Sequence, residues 1–277
     1  MSDTLLSDSA PLAYSEIGSG LPVVFLHPTP LDREFWRPLA KELAGIRAIL
    51  PDLRGHGLSA LGAGLPTGEF TPVADAPVLS MAQLAADVVA LLDRLKLPKA
   101  VFAGCSIGGY VLLEIWRRAP QRVMGLAFVC SKPQPDAEAN QARRAETIAR
   151  ARTEGVSALF DGMAKSLPGA TALREHPEIV AELRARMTLT PEALIAVQAG
   201  LATRPNSVPT IATIRVPVLA IAGAEDTGCT TAEIEAFRAA PGGCQFHVVP
   251  AAGHFAAYEQ PRKVAALMAP WLRGFEA

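Results

Sequence analysis

The sequence has few aromatic residues, no excess of charge of either sign and no long apolar run. Aromatic side chains make up 6% of the 277 residues, and 26 Lys and Arg residues stand against 27 Asp and Glu residues. Without a basic surplus to neutralise phosphates, we expect no nucleic-acid partner. Because no apolar segment approaches the roughly 20 residues that cross a bilayer, we expect no membrane association.

The sequence also lacks the cysteine spacing of a disulfide framework or a zinc site. Its four cysteines, Cys105, Cys130, Cys229 and Cys244, form no CxxC pair, and this pattern is typical of reduced thiols inside the cell. The first residues carry no basic segment followed by a long apolar run, so no signal peptide is evident. The sequence therefore predicts a soluble, cytoplasmic protein.

What the chain does contain is a regular alternation of short apolar runs and helical patterns. Hydrophobic residues make up 50% of the sequence, which at this length is enough for one large core without cross-links. Helical periodicity over residues 32–43, 80–95 and 107–118 predicts a parallel sheet with helices on both faces. A long loop is predicted over residues 58–78. The predicted strands are residues 23–26, 47–50, 100–103, 123–130, 216–221 and 245–249.

The alternation stops between residues 136 and 203, where the chain is rich in Ala, Arg, Glu and Leu and is broken by Gly and Pro. This pattern predicts three or four helices and no strand. We therefore predict an α/β core formed by residues 1–132 and 213–277. A helical subdomain of residues 133–212 is inserted between two strands of that core.

The motif that carries the most chemistry is Gly104-Cys105-Ser106-Ile107-Gly108, which fits the pattern G-x-S-x-G. It lies between a predicted strand and a predicted helix, where a sharp turn lifts a serine hydroxyl clear of the sheet. The turn needs neighbours without side chains, because the helix packs close against the strand. Ser106 is therefore the candidate nucleophile, and a glycine-rich turn with an incidental serine is the alternative.

A serine nucleophile needs a base, and the sequence offers five histidines. His254 is the best candidate, because it lies in a loop between the last predicted strand and the last predicted helix, where parallel sheets place their chemistry. His56 also lies in a loop, so it is either structural or a supporting residue of the site. His247 alternates with apolar residues inside a strand, and His176 precedes a proline in the insertion; we expect both to be structural or surface residues.

The base needs a carboxylate that fixes its tautomer. Asp226 follows the strand over residues 216–221, which gives the chain order Ser106, Asp226, His254 that is expected for a G-x-S-x-G serine. Glu225 is the competing residue, and Asp226 is preferred because it lies further from the strand end. Asp136, which follows the preceding strand, is a third candidate.

Acyl transfer also needs N–H donors for the oxyanion. One donor is predicted to be the backbone N–H of Ile107, the residue after the nucleophile. The second is expected from the loop that follows the first predicted strand. Pro28 and Pro30 have no N–H, so Thr29 is predicted to be this second donor.

In combination, these segments resemble the α/β-hydrolase superfamily, and specifically its small, lidded bacterial serine esterases and lactonases. The resemblance implies an α/β fold with a mostly parallel, eight-stranded sheet flanked by helices. It implies that the helical insertion is a lid and that the loop over residues 52–57 lines the site. The segments that carry the resemblance are His27-Pro28-Thr29-Pro30-Leu31-Asp32, Pro51-Asp52-Leu53-Arg54-Gly55-His56-Gly57-Leu58-Ser59, Gly104-Cys105-Ser106-Ile107-Gly108-Gly109-Tyr110, Gly223-Ala224-Glu225-Asp226 and Ala252-Gly253-His254.

The nucleophile argues against two other activities of the superfamily. Haloalkane dehalogenases and epoxide hydrolases use Asp at this turn, and epoxide hydrolases add tyrosines from the lid. Here the residue is Ser106, and the three tyrosines, Tyr14, Tyr110 and Tyr258, all lie outside the insertion.

The expected function is hydrolysis of a carboxylic ester or lactone of a small to medium organic substrate through an acyl-enzyme on Ser106. No metal or organic cofactor is expected, and the protein is expected to be a monomer or homodimer. The alternatives are another activity of the same triad (perhydrolase, enol-lactonase, C–C bond hydrolase or acyltransferase) or a binding protein that keeps the triad without catalysis.

The substrate pocket is expected to be mainly aliphatic and to suit a neutral acyl group. The insertion contains a single aromatic residue, Phe160, among many Ala, Leu and Met residues. Its arginines are expected to form a solvated helix face, and the alternative is that they meet an acidic substrate. The predicted substrate contacts are Phe35, Trp36, Phe160 and Phe255.

Overall fold

The sheet of the protein has seven strands in the order β1-β3-β2-β4-β5-β6-β7. The computed structural model describes residues 10–63, 65 and 76–275, and much of the predicted loop over residues 58–78 lies outside them. Every neighbouring pair is parallel except β1 and β3. The strands are β1 (Tyr14–Gly18), β2 (Leu21–Leu26), β3 (Ile46–Pro51), β4 (Ala100–Cys105), β5 (Val123–Val129), β6 (Val218–Gly223) and β7 (Cys244–Val249).

The mostly parallel α/β fold is confirmed, but the described residues form seven strands and not the eight expected. Residues 10–13, the described residues before β1, give a physical reason, because two of their backbone donors are taken by side chains. The Ala10 N–H donates to Asp87 Oδ1 at 2.6 Å, and the Ala13 N–H donates to Ser59 Oγ at 2.9 Å. Residues 10–13 therefore add no strand to this edge.

All six predicted strands are present, and β1 is the strand that the sequence did not reveal. The central strands β4 and β6 are buried along their whole length, so their continuous apolar runs are easily recognised. In contrast, β1 is an edge strand whose residues alternate between exposed and half-buried. Its short run of Tyr, Ser, Glu, Ile and Gly lacks the apolar signal of a buried strand.

Helices cover the sheet, and no helix in the described part of the chain is long and apolar enough to cross a membrane. The helix predicted over residues 32–43 is instead a 3₁₀ turn (Arg33–Trp36) followed by one α turn. Pro38 explains the difference, because it has no N–H to donate to the Glu34 carbonyl. The helices outside the insertion are α1 (Arg37–Ala40), α2 (Met81–Arg94), α3 (Ile107–Arg118), α10 (Thr231–Glu235), α11 (Ala256–Glu259) and α12 (Pro261–Arg273), with further 3₁₀ turns at Pro120–Arg122 and Ala236–Ala239.

The segment between β5 and β6 is helical, as predicted, but residues 136–203 contain five helices and not three or four, and a sixth short helix follows them. Breaks at Gly155, which has φ +76°, and at Pro177 and Pro191 divide it into short pieces. Its apolar residues, including Phe160 and Leu194, belong to the same hydrophobic core as the sheet. The helices are α4 (Glu138–Glu154), α5 (Ser157–Ser166), α6 (Ala170–Glu175), α7 (Ile179–Ala185), α8 (Pro191–Ala202) and α9 (Val208–Ile211).

Candidate active site

Ser106 lies on the sharp turn between β4 and α3, with φ 51° and ψ −117°. Residues other than glycine rarely adopt this backbone conformation, and its strain is typical of functional positions. The flanking glycines permit the close packing that holds the turn. A Cβ on Gly104 would lie 2.4 Å from the Gly108 carbonyl carbon, and one on Gly108 would lie 2.2 Å from the Leu26 oxygen. Any larger residue at either position would push α3 away from the sheet.

His254 and Asp226 form a buried hydrogen-bonded pair beyond the ends of β7 and β6. His254 Nδ1 lies 2.9 Å from Asp226 Oδ2 and 3.0 Å from Oδ1. The N–H groups of Gly228 and Cys229 donate to Asp226 Oδ1 at 2.8 and 3.0 Å. Burial opposes ionisation of Asp226, but His254 and these two N–H groups outweigh it and hold the pKa of the carboxyl below its usual value. The carboxylate thus fixes a proton on Nδ1 and leaves Nε2 to act as a base.

The two other carboxylates that the sequence offered as partners for His254 have different partners. Glu225 accepts hydrogen bonds from the N–H and the hydroxyl of Thr171 at 2.8 and 2.5 Å. Asp136 forms ion pairs with Arg144 and Arg204. The geometry therefore favours Asp226, the residue that the sequence analysis preferred.

The loop with Thr29 borders the same cavity as Ser106 and His254. It forms a turn in which the Leu31 N–H donates to the Pro28 carbonyl at 3.0 Å. Among the described residues, neither the Thr29 N–H nor the Ile107 N–H has a hydrogen-bond acceptor. Two unpaired backbone donors beside a serine are what an oxyanion site requires.

Two buried histidines support this loop. The Leu53 N–H donates to His27 Nε2 at 2.9 Å, so this ring is neutral and its Nδ1 donates to a backbone carbonyl. In the same way, His56 Nδ1 faces a backbone carbonyl and His56 Nε2 accepts from the Thr29 hydroxyl at 3.0 Å. Burial lowers the pKa of His27 to about 4 and the pKa of His56 to about 3. His56, for which the sequence left a supporting role open, contacts the predicted oxyanion residue directly.

These two histidines predict a loss of stability in mild acid. Below the ordinary imidazole pKa of about 6.5, the unfolded chain takes up protons at His27 and His56 that the folded chain excludes, down to the lowered pKa values of about 4 and about 3. The free energy of unfolding should therefore decrease as the pH is lowered, by about 1.4 kcal/mol per pH unit for each histidine. The free energy of unfolding can be measured by urea denaturation between pH 6 and pH 4.5. Its change per pH unit should be smaller by this amount in His56→Asn. Equal slopes in the two proteins would contradict the prediction.

The cavity beside Ser106 has a volume of about 200 Å³. Thr29, Ser106 and His254 line it together with Met163 and Leu167 of the helical insertion. A second cavity of about 230 Å³ adjoins it. The two volumes together fall within the range of about 300–1,000 Å³ that is usual for small-molecule sites.

The four aromatic residues predicted to contact substrate line neither of these cavities. Phe35, Trp36, Phe160 and Phe255 are at most 1% exposed. Phe35 packs edge-on against both Trp36 and Phe255, at centroid distances of 5.1 and 5.8 Å. Their large apolar surfaces are satisfied inside the core, so the structure replaces the predicted substrate contacts with a packing role.

Two expectations for the insertion, an aliphatic pocket and arginines that face solvent, also differ from the structure. Arg144 lines both cavities together with Gln198. Arg204 is buried and stacks over the Tyr110 ring at 4.4 Å. The sequence does not single out Arg144 and Gln198. A helical pattern alone cannot distinguish an arginine that faces solvent from one that borders a cavity.

Glu259, which no sequence pattern singles out, joins the His254 loop to the insertion. Its carboxylate accepts from the N–H groups of Gly253, Phe255 and Gly169 at 2.8, 3.0 and 2.9 Å. The His254 N–H donates to the Leu167 carbonyl at 3.0 Å. The backbone around His254 is therefore held both by Glu259 of α11 and by the insertion.

Asp226, Cys229 and His254 place possible metal-ligand atoms within 4.8 Å of one another. However, the Asp226 carboxylate is already engaged by His254 and by backbone N–H groups. Burial raises the pKa of the Cys229 thiol to about 12, and metals bind the thiolate. This donor set fits a metal ion poorly.

The family model described as the alpha/beta hydrolase family matches residues 23–267. The chain belongs to this family. Several α/β-hydrolases resemble it along nearly the whole chain. A thermophilic esterase from Thermogutta terrifontis, solved with malate bound, is 33% identical and has a TM-score of 0.87, over 96% of this chain and 94% of that one. The enol-lactonase from Burkholderia xenovorans LB400 is 24% identical with a TM-score of 0.83, over 95% and 96%, a likeness that shows the fold alone.

Among curated α/β-hydrolase relatives, 3-oxoadipate enol-lactonase 2 from Acinetobacter baylyi is 26% identical over 238 residues, which is 83% of this chain and 82% of that protein. The chain spans only 39% and 30% of the length of two other curated relatives that it matches. The activities of those whole proteins therefore say little about this one. Esterases and enol-lactonases are among the proteins that the chain resembles.

Proposed function

We propose that the protein is a serine hydrolase that cleaves a carboxylic ester or lactone of a small to medium organic molecule through an acyl-enzyme on Ser106. The observation that carries this proposal is the location of Ser106 on a strained turn, bordering the same cavity as His254, whose Nδ1 contacts the buried carboxylate of Asp226. A nucleophile and a base on one cavity, with a carboxylate bound to the base, are the parts that acyl transfer needs.

In the proposed mechanism, Ser106 Oγ attacks the carbonyl carbon while His254 Nε2 takes the hydroxyl proton. The negative charge on the carbonyl oxygen is held by the N–H groups of Thr29 and Ile107. When the tetrahedral intermediate collapses, His254 returns the proton to the departing alkoxide, which leaves as an alcohol. Water, deprotonated by His254, then attacks the acyl-enzyme, releasing the acid and restoring Ser106.

The helical subdomain of residues 133–212 is proposed to act as the lid of this site. Its residues Met163, Leu167 and Gln198 line the same cavity as Ser106. A covered cavity excludes bulk water and strengthens the interactions of charged groups inside it. We propose that the reaction needs no metal or organic cofactor and takes place in the cytoplasm.

Lactone opening is a second candidate, supported by the alignment with 3-oxoadipate enol-lactonase 2 over 82% of that protein. Assays of p-nitrophenyl butyrate hydrolysis, of lactone opening in a pH-stat and of peracid formation from acetate and peroxide would rank the activities. We expect ester or lactone cleavage to exceed peracid formation. Folded protein that cleaves neither the ester nor the lactone and forms no peracid would contradict the proposal.

A further inference from the structure

The second cavity is a continuation of the cavity beside Ser106. Five residues line both: Tyr110, Arg144, Met163, Gln198 and Gly228. A substrate whose carbonyl lies at Ser106 can therefore extend into the second cavity, past the apolar surface of Met163. The groups at the far end of this path decide which substrates fit.

One side of the path carries a buried cluster with more positive than negative charge. Asp136 forms ion pairs with two arginines, Arg144 and Arg204. Burial opposes ionisation of Asp136, but the two guanidinium groups outweigh it and hold the pKa of its carboxyl below its usual value. The single carboxylate is thus ionised at neutral pH and balances only one of the two arginines.

The rest of the second cavity adds no compensating negative charge. Lys132 lines it and is neutralised by Glu233 at 2.6 Å. Arg143 lines it as an exposed side chain, with no carboxylate partner among the described residues. Asp136 is the one acidic residue in its lining. The cavity is therefore a cationic region next to the proposed nucleophile.

Arg144 has a donor available for a ligand. Its Nε faces Asp136, and its Nη1 donates to Gln198 Oε1 at 2.8 Å. Within the described chain, its Nη2 has no hydrogen-bond partner, and the side chain is 22% exposed. Gln198, which accepts this bond through Oε1, lines both cavities as well and carries an amide NH₂ group. A guanidinium edge beside an amide donor suits a planar anion.

We propose that the substrate is an ester or lactone whose acyl part carries a carboxylate, and that Arg144 binds this carboxylate. This inference rests on the proposed serine hydrolase function and names its substrate class. The acyl chain would lie along the apolar surface of Met163 and Leu201, both of which line the cavity beside Ser106. Arg144 is then a specificity-determining residue.

The test compares two p-nitrophenyl esters that differ only at the end of the acyl chain: the valerate, which ends in a methyl group, and the hydrogen glutarate, which ends in a carboxylate. Rates without enzyme are subtracted, because a free carboxylate can assist its own ester's hydrolysis. We expect kcat/KM to be about 10- to 100-fold higher for the glutarate, the range of a hydrogen bond between charged groups. Arg144→Met should remove this preference, measured as the ratio of the two kcat/KM values within the same variant.

Arg150→Met is the matched control, because Arg150 lies on the same helix and pairs with Glu154 at the surface. It should keep the preference, and Arg144→Lys, which keeps the charge but loses the planar donor edge, should retain part of it. A wild-type preference for the valerate, or an unchanged preference in Arg144→Met, would overturn the inference. The proposed function would stand in that case. It would fall if neither ester were cleaved by folded wild-type protein.

Discussion

Replacing Ser106 with alanine is expected to lower kcat for p-nitrophenyl butyrate by roughly 10⁴- to 10⁶-fold. The variant has no oxygen on which an acyl-enzyme can form, so only substrate binding and the oxyanion donors still assist the reaction. Stopped assays with purified protein, corrected for spontaneous hydrolysis, measure the residual rate.

The fold should tolerate this change. Ser106 Oγ makes no hydrogen bond within the described residues, and alanine keeps the Cβ that already occupies the strained backbone position. The melting temperature should therefore stay within a few degrees of the wild-type value. Ser131→Ala is the matched control, because Ser131 donates to the Ser106 carbonyl at 2.9 Å without touching the cavity. It should lower activity less than about tenfold; near-normal activity in Ser106→Ala would contradict the mechanism.

Replacing Asp226 with asparagine should lower kcat by about 10³- to 10⁴-fold through the tautomer of His254. The N–H groups of Gly228 and Cys229 point at Asp226 Oδ1, so the amide oxygen of asparagine takes that position. Its NH₂ group then faces His254 Nδ1, which must become an acceptor. The proton moves to Nε2, and the ring can no longer take the proton from Ser106.

Glu225→Gln provides the comparison for this prediction. Glu225 is the neighbouring carboxylate that the sequence left as an alternative, and its contacts are with Thr171 of the insertion. Its loss should change kcat less than about tenfold. If Glu225→Gln lost more activity than Asp226→Asn, the assignment of the carboxylate would be wrong.

Much of the core and the main candidate residues could be predicted because their signals are local. The turn at Ser106 requires glycines at Gly104 and Gly108, and these are fixed positions in the sequence. The buried strands are short, continuous apolar runs. Proline at positions 28 and 30 removes N–H groups, which selected Thr29 without any structure.

The parts that could not be predicted depend on which surfaces meet in three dimensions. Arg144 and Asp136 are eight residues apart, but their place beside Ser106 depends on how α4 packs against α8. Glu259 joins the loop of His254 to Gly169 of the insertion, which lies 90 residues earlier in the chain. Phe35 and Trp36 follow β2 in the chain, as pocket residues would, but both side chains are buried in the hydrophobic core. The composition of the insertion suggested an aliphatic pocket. Composition gives only the number of each residue type and does not show which residues line the cavity.

Covalent trapping of the nucleophile tests the central claim most directly. The protein is treated with diisopropyl fluorophosphate, which phosphorylates activated serines, and the modified peptide is identified by mass spectrometry. The proposed mechanism predicts one adduct on Ser106, formed at least 100-fold more slowly in His254→Ala because the base is lost. No adduct on folded protein, or an adduct on another residue with Ser106 unmodified, would contradict it.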